Sequence, residues 1–183
     1  MENEEVIFEE SETAKKLAHY KLPRYEELTK YNIFMNQLVD ILDEHLSVFA
    51  LPTEGKILTP SMINNYVFKH VVIPPNQKKY NRDHIAYLIA VGIMKQVLPI
   101  SDVTTIINGQ VEQYNIAVAY DYFCRELENM LQIIFESRNF SDIEKTNPSK
   151  VTPLSRKARS AILAFVNQIY VKHSIFYDNR KNR

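Results

Sequence analysis

The side chains best suited to chemistry lie between residues 59 and 82, and the chemistry they suit is recognition. Hydroxyl and amide groups can bond to base edges in the major groove of DNA, and cationic side chains can hold its phosphates. This segment offers both kinds within about two dozen positions, the polar ones at helical spacing. The candidate base-contacting residues are Ser61, Asn64, Asn65 and Lys69, and the candidate phosphate-binding residues are Lys78, Lys79 and Arg82.

Charge is segregated along the chain although the formal total is zero. Residues 56–99 carry 6 basic side chains and 1 acidic one, whereas residues 1–55 carry 5 basic and 12 acidic ones. Residues 100–137 are acidic again, and residues 138–183 are basic. A neutral protein can therefore present a basic face, and binding to phosphates needs only that face. The alternative is that such blocks arise by chance on solvated helices.

Catalytic and metal-binding signatures are missing from the sequence. It contains no Gly-x-Ser-x-Gly motif, no His-Glu-x-x-His motif and no glycine-rich phosphate loop, and it has only 3 glycines. The single cysteine, Cys124, lies on an apolar helical face, where a small core residue is expected rather than a nucleophile. The 5 histidines show no metal-ligand spacing, so each is expected at the surface or an interface. We therefore expect a protein without catalytic activity, cofactor or metal.

Targeting signals are also missing. The first twelve residues are acidic rather than basic followed by apolar, so no signal peptide is expected. No apolar run reaches the length of about 18 residues that a membrane-spanning helix needs. These features predict a cytoplasmic protein that does not contact membranes.

Helix signals surround the candidate contacts. Thr59 is a suitable N-cap and Pro60 suits the first helical position, so a short helix is predicted over 60–70. The β-branched run 71–73 and the turn residues after it predict a small β-hairpin up to Tyr80. Asn81 can cap a helix over 82–98, and Ser101 can cap a shorter one that ends at a C-terminal glycine, Gly109.

Four regions follow from this pattern. Residues 1–30 are polar and acidic and are predicted to form a loose arm. Residues 31–55 hold an amphipathic helix over 31–50, with Phe34, Leu38, Ile41, His45 and Val48 on its apolar face. Residues 56–109 form the recognition module. Residues 110–183 hold two long helices, at 112–137 and from Leu154 onward, which are predicted to mediate dimerisation or to form an effector pocket.

Residues 62–107 resemble the N-terminal domain of MerR-type transcriptional regulators. In that family a helix ends in a basic-aromatic-aromatic triplet and is followed by a turn, a basic wing and a second helix. The stretch from Leu58 to Val97 is more similar still to an uncharacterised bacterial family, the domains of unknown function number 1836, itself similar to MerR-type modules. The matching segments are Asn64-Asn65-Tyr66, Val72-Ile73-Pro74-Pro75, Lys78-Lys79-Tyr80-Asn81, and Ile100-Ser101-Asp102-Val103 with Ile106-Ile107.

This resemblance implies a mainly α fold, a winged helix-turn-helix module with a small β-hairpin wing and additional long helices. It also implies that Tyr66 contacts a phosphate, that Lys78 replaces the wing arginine and that Tyr80 is the wing tyrosine. Two positions depart from the family pattern. Asn64 stands where the triplet has arginine, and Val71 or Val72 stands where the turn has glycine.

Two functional hypotheses remain open at this point. The first is a transcriptional regulator that binds duplex DNA, as a homodimer, with a possible small-molecule effector. The second is a helical protein-interaction or ligand-sensing module that retains a DNA-binding-like scaffold. The first is favoured if the cations of residues 78–82 share a face with Asn65 and Lys69, and the second if the acidic helix 31–50 covers that face. The late helices could also fill a single monomeric core.

Overall fold

The computed structural model describes residues 7–137, 141 and 152–181. Seven α-helices account for most of this part: α1 (Glu12–Ala18), α2 (Met35–Leu46), α3 (Pro60–Phe68), α4 (Arg82–Met94), α5 (Ile100–Gln113), α6 (Ile116–Gln132) and α7 (Pro153–Lys181). Short 3₁₀ turns lie at Phe8–Glu10, Tyr25–Glu27 and Ser47–Phe49, and a π-helical turn at Ile133–Ser137 extends α6.

The mainly α prediction is confirmed, but the winged helix-turn-helix with a hairpin wing is wrong. The described residues contain no β-strand, only two isolated antiparallel bridges, Ile33 with Tyr80 and Asn76 with Lys79. Two adjacent prolines, Pro74 and Pro75, explain the difference. A proline has no backbone N–H to donate to a ladder, so a hairpin cannot propagate through this pair.

Helices α3 and α4 begin where their caps predict. The Thr59 hydroxyl accepts from the Met62 N–H at 3.3 Å, and Pro60 occupies the first turn of α3. The Asn81 side chain accepts from the His84 N–H at 3.2 Å at the start of α4. Both helices end earlier than expected, at Phe68 and Met94.

Helix α4 is the centre of the core. Ten of its thirteen residues are buried, which is the pattern of a helix covered on all sides rather than an amphipathic one. It contacts α2, α5, α6 and α7. Gly92 allows α2 to approach closely, because a Cβ there would lie 2.8 Å from Cδ1 of Leu46. The surrounding helices are therefore organised by this one element.

Helix α2 is shorter than predicted, and its apolar face is different. Phe34 caps the helix instead of packing inside it, and it is exposed. Leu38 is buried as expected, but its companions on the core face are Val39, Leu42 and Leu46. The prediction placed the apolar face wrongly because it counted the helical spacing from Phe34, which lies outside the helix.

The later helices bury apolar residues that recur three or four positions apart in the sequence. In α6 and its extension, Phe123, Leu127 and Met130 are buried, and in α7 Ile162 and Val166 are buried. Helix α5 differs, since it continues through Gly109 to Gln113 rather than ending there. A Cβ at Gly109 would lie 2.9 Å from Cδ1 of Leu154, so this glycine permits the close approach of α7.

The N-terminal segment is packed, so the expectation of a loose arm is wrong for residues 7–30. Phe8 is 4 % exposed and its ring meets those of Phe135, Tyr170 and Tyr177 at centroid distances of about 6 Å. Leu17, Leu22 and Leu28 are also buried. Aromatic pairs stabilise a structure beyond their buried area alone, and these contacts join the segment to the last two helices.

Candidate functional site

The outer face of α3 carries the predicted base-contacting residues. Ser61, Asn64 and Asn65 are exposed, at the spacing that places side chains on one helical face, and Lys69 is exposed at the C-cap. The opposite face holds Ile63, which is fully buried. Within the part of the chain that the structure describes, these four polar side chains form no hydrogen bond to another residue. Together they form an exposed polar face whose hydrogen-bonding groups are available to a partner.

The chain turns sharply where α3 ends. The Lys69 N–H bonds to the Asn65 carbonyl, and the Val71 and Val72 N–H groups both reach the Tyr66 carbonyl at 2.8 and 3.2 Å. His70 has a φ of 55°, the left-handed conformation in which β-branched residues are strongly disfavoured. The residue that takes the turn conformation is therefore His70, and not Val71 or Val72.

A tight turn at residues 76–79 replaces the predicted wing. The Lys79 N–H donates to the Asn76 carbonyl at 2.9 Å, and both central residues, Gln77 and Lys78, have a left-handed φ, at 48° and 61°. Left-handed conformations at both central positions define a type I′ turn. The turn is held from behind, since Tyr80 exchanges two backbone hydrogen bonds with Ile33 at 2.8 and 2.9 Å.

Lys78 and Lys79 are exposed on this turn. The Lys79 ammonium lies 5.3 Å from the ring centroid of Phe34, which is within cation–π range. No carboxylate within the described residues forms a salt bridge with either lysine. Their charges therefore remain available to a phosphate.

Arg82 differs from the two lysines, because its charge is already paired. Its Nη1 atom lies 2.6 Å from a Glu26 carboxylate oxygen, and its guanidinium stacks 5.2 Å from the Tyr25 ring centroid. The Tyr25 hydroxyl in turn donates to Asp83. Arg82 thus ties the N-terminal segment to the start of α4, and it is a poor candidate for a phosphate contact.

Tyr66 and Tyr80, the two tyrosines taken from the resemblance, are buried, at 8 % and 3 % exposure. Burial raises the pKa of both phenols. The Tyr80 ring packs edge-on against His84. Their geometry is that of core residues that position the turn, with little surface left for a partner.

His84 holds the turn from inside the core. Its Nδ1 atom accepts from the Asn81 N–H at 3.1 Å, which leaves the proton on Nε2 to donate to the Ile73 carbonyl at 3.1 Å. Burial lowers the pKa of this imidazole, as it does for His173. These two histidines are buried in the core, whereas each was expected at the surface or at an interface.

Cys124 is the small core residue that its position predicts. Its side chain is fully buried, and burial raises the pKa of the thiol to about 12, so it stays protonated at neutral pH. Among the described residues no cluster of histidine, cysteine, aspartate or glutamate is placed to hold a metal ion. In the same part of the chain, no helix is both long and apolar enough to cross a membrane.

Sequence reasoning missed two exposed aromatic residues beside the turn. Tyr31 is 69 % exposed and Phe34 is 51 % exposed, and the Ile33–Tyr80 bridge brings their segment alongside Lys79. The sequence contained a signal for this pair, since Lys30-Tyr31 and Phe34 lie on either side of one buried residue, Ile33. The exposure of Phe34 was not predicted, because Phe34 fits the apolar periodicity of the helix that follows and was assigned to its buried face.

No curated protein and no solved structure matches the chain. The model of one family, described as Domain of unknown function (DUF1836), matches residues 23–123. These residues include the candidate polar face, the turn with its lysines and the histidine that supports it. Since this match covers more than half of the sequence, the chain belongs to the DUF1836 family of domains of unknown function.

Proposed function

We propose that this protein is a transcriptional regulator that binds duplex DNA through the outer face of α3 and the turn at residues 76–79, and that it acts as a homodimer. The observation that carries the proposal is the pairing of an exposed amide-rich helical face with an exposed lysine turn only seven residues further along the chain. The amides suit base edges, and the lysines suit phosphates.

The electrostatics of the surrounding residues support this assignment. Lys56 is engaged by Asp40 and Asp43, and Arg82 by Glu26, whereas Lys69, Lys78 and Lys79 have no carboxylate partner among the described residues. The acidic helix α2 contacts α3 and α4 through its buried face and leaves the outer face of α3 open to solvent. This arrangement favours DNA over the alternative in which the acidic helix covers the face.

The resemblance to MerR-type regulators adds to the proposal without the hairpin wing. Such modules read DNA with a short helix and hold the backbone with the segment that follows it. In this proposal the type I′ turn takes the place of that segment, and Lys78 corresponds to the wing arginine that the resemblance to MerR-type modules implies. The contact surface is therefore smaller than a hairpin would provide, and it relies more heavily on α3.

The test compares two variants on duplex DNA. A fragment is first selected by gel shift from a pool of genomic duplexes at two salt concentrations. Replacing both Lys78 and Lys79 with alanine should weaken binding to selected and random duplexes alike. It should also reduce the slope of log affinity against log salt concentration by roughly 0.9 for each phosphate that is no longer neutralised. Asn65→Ala should reduce the binding free energy for the selected fragment by about 1–3 kcal/mol, with little effect on binding to random DNA.

Lys56→Ala is the matched control. It removes a cation from the same basic segment, but one that is already held by Asp40 and Asp43. Its DNA affinity and salt slope should equal those of the parent. If both the double lysine variant and Asn65→Ala bind DNA like the parent, or if the parent selects no fragment, the proposed function is wrong.

A second candidate function is supported by exposed apolar side chains on the same surface. Phe68 is 82 % exposed on the outer face of α3, and Ile73, in the loop that follows, is 77 % exposed. Large exposed apolar side chains are typical of protein-interaction sites where they form one patch, and these two are five positions apart in the chain. Phe68→Ser discriminates the two functions, because it should abolish capture of a protein partner, whereas the lysine variant should leave that capture intact.

A further inference from the structure

An apolar pocket lies between α4, α5 and α6. Its lining includes alanines at positions 86, 90 and 119, and it contains about 490 Å³ of empty space, which includes the open mouth. The cavity itself is narrow, with a volume of about 40 Å³. The remaining walls are mainly aliphatic and aromatic, and none of the lining residues carries a formal charge.

Gln110 brings an amide group to the wall of this pocket. It lines the cavity from α5, and its Nε2 atom is buried without a hydrogen-bond partner. A buried donor without a partner costs free energy that an acceptor would recover. Nearby, the Tyr87 hydroxyl donates to Asn108 at 3.2 Å on the solvent side, and burial raises the pKa of Tyr87 to about 12.

Water is a poor occupant for this space. The enclosed volume would admit a water molecule, but a buried water needs two to four polar partners to be held well. Besides the Tyr120 hydroxyl, which is also buried without a partner, the lining offers a water only the orphaned Gln110 amide donor. A molecule that brings an apolar body for the walls and one acceptor for this donor satisfies both parts of the pocket at once.

We propose that this pocket binds a small, neutral, largely apolar molecule that carries one hydrogen-bond acceptor for Gln110 Nε2. The narrow cavity holds only part of such a molecule, so a single ring or a short aliphatic chain would lie partly in the open mouth. All lining residues except Ala158 lie within residues 23–123, so the site belongs to the family domain itself. The proposal does not depend on DNA binding, and the two can fail separately.

The experiment uses phenol and toluene as probes, because they have the same number of heavy atoms and only phenol offers an acceptor. Each is titrated to millimolar concentration into the full chain while the methyl resonances of Ile107 and Val111 are followed by NMR. Phenol should shift these methyl signals in the parent. Gln110→Leu removes the donor, and it should weaken the binding of phenol relative to that of toluene by roughly two- to tenfold.

Ala119→Leu fills the pocket and should abolish the shifts caused by both probes. Ala164→Leu adds the same side chain at an exposed position on α7 and should bind both probes like the parent. If Ala119→Leu does not fold, Ala119→Val provides a smaller filling group, and a partial loss of binding is then expected. Unchanged binding in a folded filling variant, or no shift of these methyl signals in the parent, overturns the proposal. Equal weakening of phenol and toluene by Gln110→Leu refutes the role of the acceptor.

Discussion

Replacing Arg24 with alanine should destabilise this protein far more than replacing an ordinary surface cation. Arg24 donates from both terminal nitrogens to the Glu128 carboxylate, with N–O distances of 2.7 Å. Glu128 lies inside the protein and also accepts from the Leu22 N–H at 3.2 Å. The alanine variant therefore leaves a buried carboxylate without its strongest partner.

The size of the effect follows from the burial of the two groups. Removing one partner of a buried ion pair costs about 3–5 kcal/mol. The Arg24 side chain is 33 % exposed, and Lys21 remains 3.3 Å from the carboxylate, so the lower end of that range applies. A loss of about 3 kcal/mol corresponds to a fall in Tm of roughly 6–12 °C for a chain of this size.

The assay is urea unfolding followed by far-UV circular dichroism. Lys15→Ala is the control, because Lys15 forms an exposed pair with Glu12, and its loss should change stability by no more than about 0.5 kcal/mol. Adding Glu128→Gln to Arg24→Ala removes the buried charge, so the double variant should be more stable than Arg24→Ala alone. If Arg24→Ala costs no more than Lys15→Ala, the N-terminal segment is not held by this pair and the reasoning fails.

Two further predictions concern pH and assembly. Burial lowers the pKa of His84, so the unfolded chain takes up its proton first, and stability should fall as the solution is acidified from about pH 7 to about pH 5. His84→Gln should show a smaller fall in the urea midpoint over this range, and an equal fall would contradict the assignment to His84. The proposed homodimer should use the C-terminal half, where Val118 on α6 and Val171 and Ile175 on α7 are exposed. Sedimentation should show a dimer at roughly tens of micromolar and a monomer for Ile175→Glu; a monomeric parent at that concentration would rule the dimer out.

Local signals predicted the elements of the candidate site but not their partners. The caps at Thr59 and Asn81 and the polar stripe of α3 depend on residues within one or two turns, so the sequence alone sufficed for them. The pairing of Arg82 with Glu26 joins residues far apart in the chain. The burial of Tyr66 and Tyr80 is likewise invisible to spacing, because a tyrosine suits both a core and a wet surface.

The sequence by itself determined that the protein is helical, where α3 begins and which stripes of the late helices are apolar, because periodicity and caps are local properties. The tertiary structure decided three things: that residues 7–30 pack, that α4 is buried on all sides, and that the lysine turn is anchored by Ile33. An acidic segment can be ordered by a few long-range contacts, and Phe8 with its three rings and Arg24 with Glu128 are such contacts. Composition describes a segment by the average of its residues, whereas packing depends on which particular residues come into contact.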